Sequence, residues 1–120
     1  MNKAELENRL IDFAAMIINE ATNFEKNYAG NHLAGQIIRS GTSPALNYGE
    51  AQSAESTKDF IHKMGICLKE LRESLVCLKI IEKANLTSNL ISLSLSKKEA
   101  NELISIFVSS IKTAKANQNK

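Results

Sequence analysis

The residues able to do chemistry gather in one stretch of this 120-residue chain, IRSGTSPALNYGEA, residues 38–51. At about 100° per residue, Arg39, Ser40, Ser43, Asn47 and Glu50 share a helical arc about 100° wide. Asn47 and Glu50 have the atoms to hold a ligand or an ion. The set also reads as a solvated polar face, or as a hydrogen-bonding stripe against another helix or subunit. Short Ser and Asn side chains are poor helix formers on a surface. Gly41 and Gly49 beside them allow close backbone approach, so the spacing points to packing rather than catalysis.

No other arrangement reaches an active site. His32 and His62, the only histidines, fall on different expected helices. No Cys or His pair has metal-ligand spacing, and the Glu-x-x-His motif of bundle di-metal sites is absent. No Gly-rich phosphate loop exists, nor an Arg followed by His after four to six residues, as helical ribonucleases use. Glu70 and Glu73 have acid–base capability, but on an exposed helix they read as ion-pair partners of Lys69 or Arg72. The expectation is a protein that is not an enzyme and needs no cofactor or metal.

These residues must be positioned by helices. Leu6, Leu10, Phe13, Ile17, Ala21 and Phe24 recur at spacings of three and four, which predicts a first helix over 3–26 with Gly30 as its stop. Leu33, Ile37, Ile38, Gly41, Pro44, Ala45 and Tyr48 keep one apolar arc across Pro44, which predicts one kinked helix over 31–51. Ser56, followed by Asp59, caps a third helix over 56–84. A fourth is expected over about 87–115: its core residues Ala100, Leu103, Phe107 and Ile111 continue a period already set by Leu86, Leu90 and Leu93. "SKKE" at 96–99 offers a later start, and the residues after 115 are expected to fray. Four amphipathic helices joined by short polar connections predict one all-α domain, an up-and-down four-helix bundle.

Composition agrees and narrows the classes. With 43% hydrophobic and 23% charged residues the chain can bury a core and is not disordered. A net charge of +2 is too mild to announce a nucleic-acid binder by itself. No apolar run approaches a membrane span, and the acidic residues near the start argue against a signal peptide. Cys67 and Cys77 lie ten residues apart on one helix, roughly 15 Å, too far to bridge; they read as reduced thiols of a cytoplasmic protein.

The third helix carries two further patterns. Lys58, Lys69, Arg72, Lys79 and Lys83 fall within about 80° of arc, a line able to track a phosphate backbone. Without interleaved aromatics for stacking, the same line also reads as a solvated lysine face. Ile66, Val76 and Ile80 form a second apolar side nearly opposite the core stripe. A bundle helix needs one stripe for its own core, so a second suggests another neighbour.

The segment QIIRSGTSPALNYGEAQSAESTKDFIHKMGICLKELRESLVCLKI, residues 36–80, resembles the four-helix-bundle family of the 23S rRNA intervening-sequence proteins. The positions that carry the resemblance are Arg39, Ser40, Ser43, Asn47, Glu50, Lys58, Phe60, Glu70 and Glu73, and it extends to IFVSSIKTAK at 106–115. Tyr48-Gly49 stands where the family usually has Ile-Ala. The resemblance implies a homopentamer, a ring or barrel of bundles, with no established enzymatic activity. Similar proteins serve as accessory factors of diversity-generating retroelements, where they bind nucleic acid and a reverse transcriptase. The leading expectation is a non-enzymatic homo-oligomer that binds RNA or DNA through backbone charge. The alternative is a protein-interaction adaptor that binds no nucleic acid.

Overall fold

Polar side chains start the helices. In the computed structural model, which describes residues 1–118, Asn2 accepts a hydrogen bond from the Glu5 backbone N–H at 2.8 Å, Asn27 from that of Gly30 at 2.8 Å, and Ser56 from that of Asp59 at 3.0 Å. Each satisfies a first-turn donor that has no partner within its helix, and each contributes about 1 kcal/mol. The helices that follow are α1 (Lys3–Ala21), α2 (Tyr28–Gln52) and α3 (Thr57–Lys83). The last, α4 (Leu90–Gln118), starts behind Asn89, whose side chain accepts from the Ser92 N–H at 3.2 Å.

Each helix packs on the next, and α4 closes on α1. The result is an all-α four-helix bundle, 51 × 21 × 20 Å. Its centre is built from the predicted stripes: Leu10, Phe13 and Ile17 of α1, Ile37 and Pro44 of α2, Met64, Leu71 and Leu78 of α3, and Leu103 and Phe107 of α4. Tyr48, where the chain departs from the family pattern, is buried and meets Phe107 edge-on with ring centroids 6.0 Å apart. That geometry suits the ring quadrupoles. The second helix runs through Pro44 without interruption.

The ends of the bundle differ from the expected boundaries. The first helix stops at Ala21, not 26. Phe24 is buried as the stripe required, but it sits in a turn bridged to Thr87, and the Glu25 N–H donates to the Leu86 carbonyl at 2.8 Å. Gly30 does not stop α1; it lies inside the first turn of α2. The fourth helix starts at Leu90 rather than about 87. Asn85 has φ 56°, the Leu86 N–H donates to the Ile81 carbonyl and the Asn85 N–H to that of Glu82. This is a Schellman stop with Asn in the left-handed position. Leu86 kept the apolar period because it folds back on the core after that stop, not because it is helical. "SKKE" starts nothing, since Ser96 is buried in mid-helix, and helix continues past 115 to Gln118.

Glycines on the helices differ in what surrounds them, and this gives opposite expected signs. A Cβ on Gly41 would stand 2.6 Å from Ile17 Cγ2 and 2.9 Å from Ile17 Cβ, whereas one on Gly49 or Gly65 meets nothing within 4 Å. The expected close approach is therefore real at Gly41 and absent at Gly49. Gly65→Ala is expected to stabilise the fold by about 0.5–1 kcal/mol through helix propensity. Gly41→Ala is expected to destabilise it by about 1 kcal/mol net, because overpacking a filled core outweighs that gain. Urea denaturation of the two variants checks the signs.

Candidate interaction surface

The polar residues of α2 face α3 at one end of their stripe and solvent at the other. Arg39 donates from Nη1 to Glu70 Oε2 at 2.8 Å and from Nη2 to Glu73 Oε2. Hydrogen bonds to Glu70 first, and then to Glu73, raise the guanidinium pKa above its ordinary value. Ser40 is fully buried and accepts from Ser74 Oγ at 2.8 Å, while Ser74 Oγ also lies 3.1 Å from the Glu70 carbonyl. Ser43 accepts from Asn47 Nδ2 at 2.7 Å within α2, and Glu50 is exposed. The structure therefore brings Arg39 and Ser40 to α3, and leaves Ser43, Asn47 and Glu50 to their own helix and to solvent.

The expectation that Glu70 and Glu73 pair with Lys69 or Arg72 is corrected by this geometry. Lys69 and Arg72 stand one and two positions from Glu70 and project away from it, and although Lys69 and Glu73 are four apart, no ion pair joins them among the described residues. The partner comes instead from the helix alongside.

Beyond this junction, the outer face of α3 carries two strips. Lys58, Lys69, Arg72, Lys79 and Lys83 are all exposed. Of the apolar set, Ile66 is half-buried, while Val76 is 54% and Ile80 46% exposed. The strips are centred about 60° apart around the helix. They meet near its C-terminal end, where Val76, Lys79, Ile80 and Lys83 line one shallow depression of about 390 Å³. Lys58 lies at the opposite end, roughly 37 Å along the axis from Lys83. Beside the apolar strip, a groove of about 500 Å³ runs between α2 and α3, lined among others by His32, Leu33, Val76 and Ile80.

Cys77 also lines that groove, yet its thiol is buried and lies 3.7 Å from the Leu33 carbonyl. Burial pushes Cys77 up to about 11 and Cys67 up to about 12. Thiolate is the reactive form, so at pH 8 both are expected to react with a disulfide reagent at least about tenfold more slowly in the folded protein than in urea. The linkage sign follows. Below the ordinary thiol pKa of 9.0 both states are protonated and the stabilisation is complete. As pH rises through 11 and 12 the unfolded chain has released protons the folded chain still holds, and the stabilisation is lost. Timed thiol titration and urea midpoints across that window check both.

Two polar clusters escaped the sequence reading. Arg9 pairs bidentately with Glu99 across α1 and α4, at 2.8 and 2.7 Å. Glu20 is buried and accepts from Ser92 and Ser96. The available signal for Glu20 was its register: it extends the Phe13–Ile17 core period by three residues, and a charged residue at a core position calls for partners.

Among the described residues no group of three or more His, Cys, Asp or Glu is placed to hold a metal ion, and no helix is long and apolar enough to cross a membrane. The molecule is thus an all-α bundle whose distinctive features lie on an open helical face. The chain matches the 23S rRNA-intervening sequence proteins over residues 2–109. It belongs to that family. It is also similar to the crystal structure of a protein with unknown function from the S23 ribosomal protein family of Bacteroides thetaiotaomicron, with 30% sequence identity over 93% of this chain and 99% of that chain and a TM-score of 0.80. No curated protein matches the chain.

Proposed function

We propose that the protein is a non-enzymatic cytoplasmic scaffold that assembles with copies of itself along the apolar strip of α3 and holds an RNA or DNA backbone on the basic strip beside it. The observation that carries this reading is the exposure of Val76 and Ile80 next to Lys79 and Lys83 on one helix. Full burial of a Val or Ile is worth about 1.5–3 kcal/mol, and with each side chain already about half covered, roughly half of that remains for an assembly to gain. A closed ring covers the strip on every copy and leaves no edge, and the family resemblance makes five the expected number of copies. Each chain brings a net charge of +2, and symmetry repeats the basic strip around the ring. Lysines that neutralise phosphates release counterions, so retention must weaken with salt. With no aromatic residue among the lysines, the contact is to the backbone and not to stacked bases.

Light scattering on the purified protein tests both halves. The expected mass is five times the 13.2 kDa of one chain, with nucleic-acid mass gained from a mixed RNA and DNA pool at low salt and lost at high salt. A monomer defeats the assembly half. A pentamer with no salt-sensitive retention of any nucleic acid defeats the other, and moves the groove between α2 and α3 to the role of a protein-docking face.

A further inference from the structure

Where α1 meets α4, a carboxylate is buried without a cation. Glu20 is 3% exposed, and its two oxygens accept from Ser92 Oγ and Ser96 Oγ, both at 3.0 Å. Among the described residues no Lys, Arg or His forms an ion pair with it. Two neutral hydroxyls replace only part of the hydration a carboxylate loses on burial, and buried charges are ordinarily completed by a cation. The group has about four acceptor positions, of which the hydroxyls use two.

Glu20 also lines a cavity of about 360 Å³ along this seam. Its walls are of two kinds. Met16 and Leu95 are apolar, while Asn19, Asn23 and Ser92 bring polar atoms. Ser92 Oγ accepts from Asn23 Nδ2 at 3.3 Å, and of its two possible acceptors the Glu20 carboxylate at 3.0 Å is nearer, and as an anion stronger, than the Asn89 carbonyl at 3.3 Å.

The geometry points to a receptor for one primary alkylammonium group, whose –NH₃⁺ pairs with Glu20 while its carbon chain lies along Met16 and Leu95. A lone carboxylate with no further acidic, His or Cys ligand clustered around it does not suit a divalent metal ion. A guanidinium takes a carboxylate with a planar fork that needs both oxygens in one direction, and here each oxygen already accepts from a different turn of α4. An ammonium is compact and has three donors, enough for the carboxylate and a neighbouring Asn oxygen. The same chemistry is offered by a free diamine or polyamine and by a lysine side chain of a partner.

The three methionines make the test direct. Met16 lines the cavity, Met64 is a core residue at 1% exposure, and Met1 is exposed. Methyl-¹³C-methionine spectra of the whole chain are recorded during titration with n-butylammonium, 1,4-diaminobutane and Nα-acetyl-lysinamide, with n-butanol as the neutral control. A saturable shift of the Met16 signal alone is expected with n-butylammonium, none with n-butanol, and at least tenfold weaker binding in Glu20→Gln, whose unchanged Met64 signal reports an intact core. Tighter binding of the diamine than of acetyl-lysinamide identifies a free polyamine; the reverse identifies a partner's lysine. Should Glu20→Gln not fold, Leu95→Lys at the exposed mouth places a tethered ammonium in the site and must abolish the response to n-butylammonium. A silent Met16, an equal response to n-butanol, or undiminished binding in the folded variant overturns the assignment.

Discussion

Gly30→Ala is expected to lower the melting temperature by roughly 12 °C, the largest effect among the five glycine positions. A Cβ at this position would stand 1.8 Å from the Glu25 carbonyl oxygen and 2.9 Å from its carbon. Both are backbone atoms, so no rotamer change relieves the clash. Moving Glu25 is costly in turn. Its N–H holds the Leu86 carbonyl, Phe24 bridges Thr87, and Thr87 Oγ1 donates to the Asn23 carbonyl at 3.3 Å. The α1–α2 turn and the α3–α4 turn are tied together there, and the added methyl pulls on both. Overpacking against fixed backbone costs about 3 kcal/mol, and each kcal/mol moves the melting point of a chain this size by roughly 4 °C. Scanning calorimetry on Gly30→Ala, with Gly65→Ala as the control expected to move the other way, decides it. An unchanged melting point would mean that the turn yields freely.

The second large effect concerns assembly. Val76→Glu combined with Ile80→Glu is expected to leave helix content and melting of the bundle nearly intact while the solution mass falls to that of one chain. Both side chains are about half exposed in the single chain, so the substitutions remove little from its own core. In the proposed assembly the same positions would be apolar contacts between copies. Two carboxylates per subunit there would be desolvated against their symmetry mates without compensating partners. Circular dichroism and light scattering on the same sample separate the outcomes. A double variant that stays oligomeric places the subunit contact elsewhere on the surface. One that unfolds shows that these residues belong to the core of the single chain.

Helix positions were legible in the sequence because periodicity and capping are local. The stripe from Leu6 to Ile17 and the Ser56 cap needed only neighbours three or four residues away. The ends of α1 and α4 were less legible for the opposite reason. Phe24 and Leu86 continue the apolar period, yet each is buried by a turn rather than by a helix, and period alone cannot separate the two. Gly41 and Gly65 look alike in sequence, and only the neighbour that approaches Gly41, Ile17, distinguishes them.

The sequence by itself determined four amphipathic helices, their bundle class and the two strips along the outside of α3, since each of these follows from the order of side chains around a single helix axis. Only the tertiary structure decided the polar pairings. It set Arg39 against Glu70 and Glu73, buried Ser40 against Ser74, and enclosed Glu20 between α1 and α4 with Ser92 and Ser96. The partners in these contacts are dozens of residues apart in the chain. Which side chains meet depends on how far each helix is rotated and shifted against the next, and that is settled by the packing of the whole core at once.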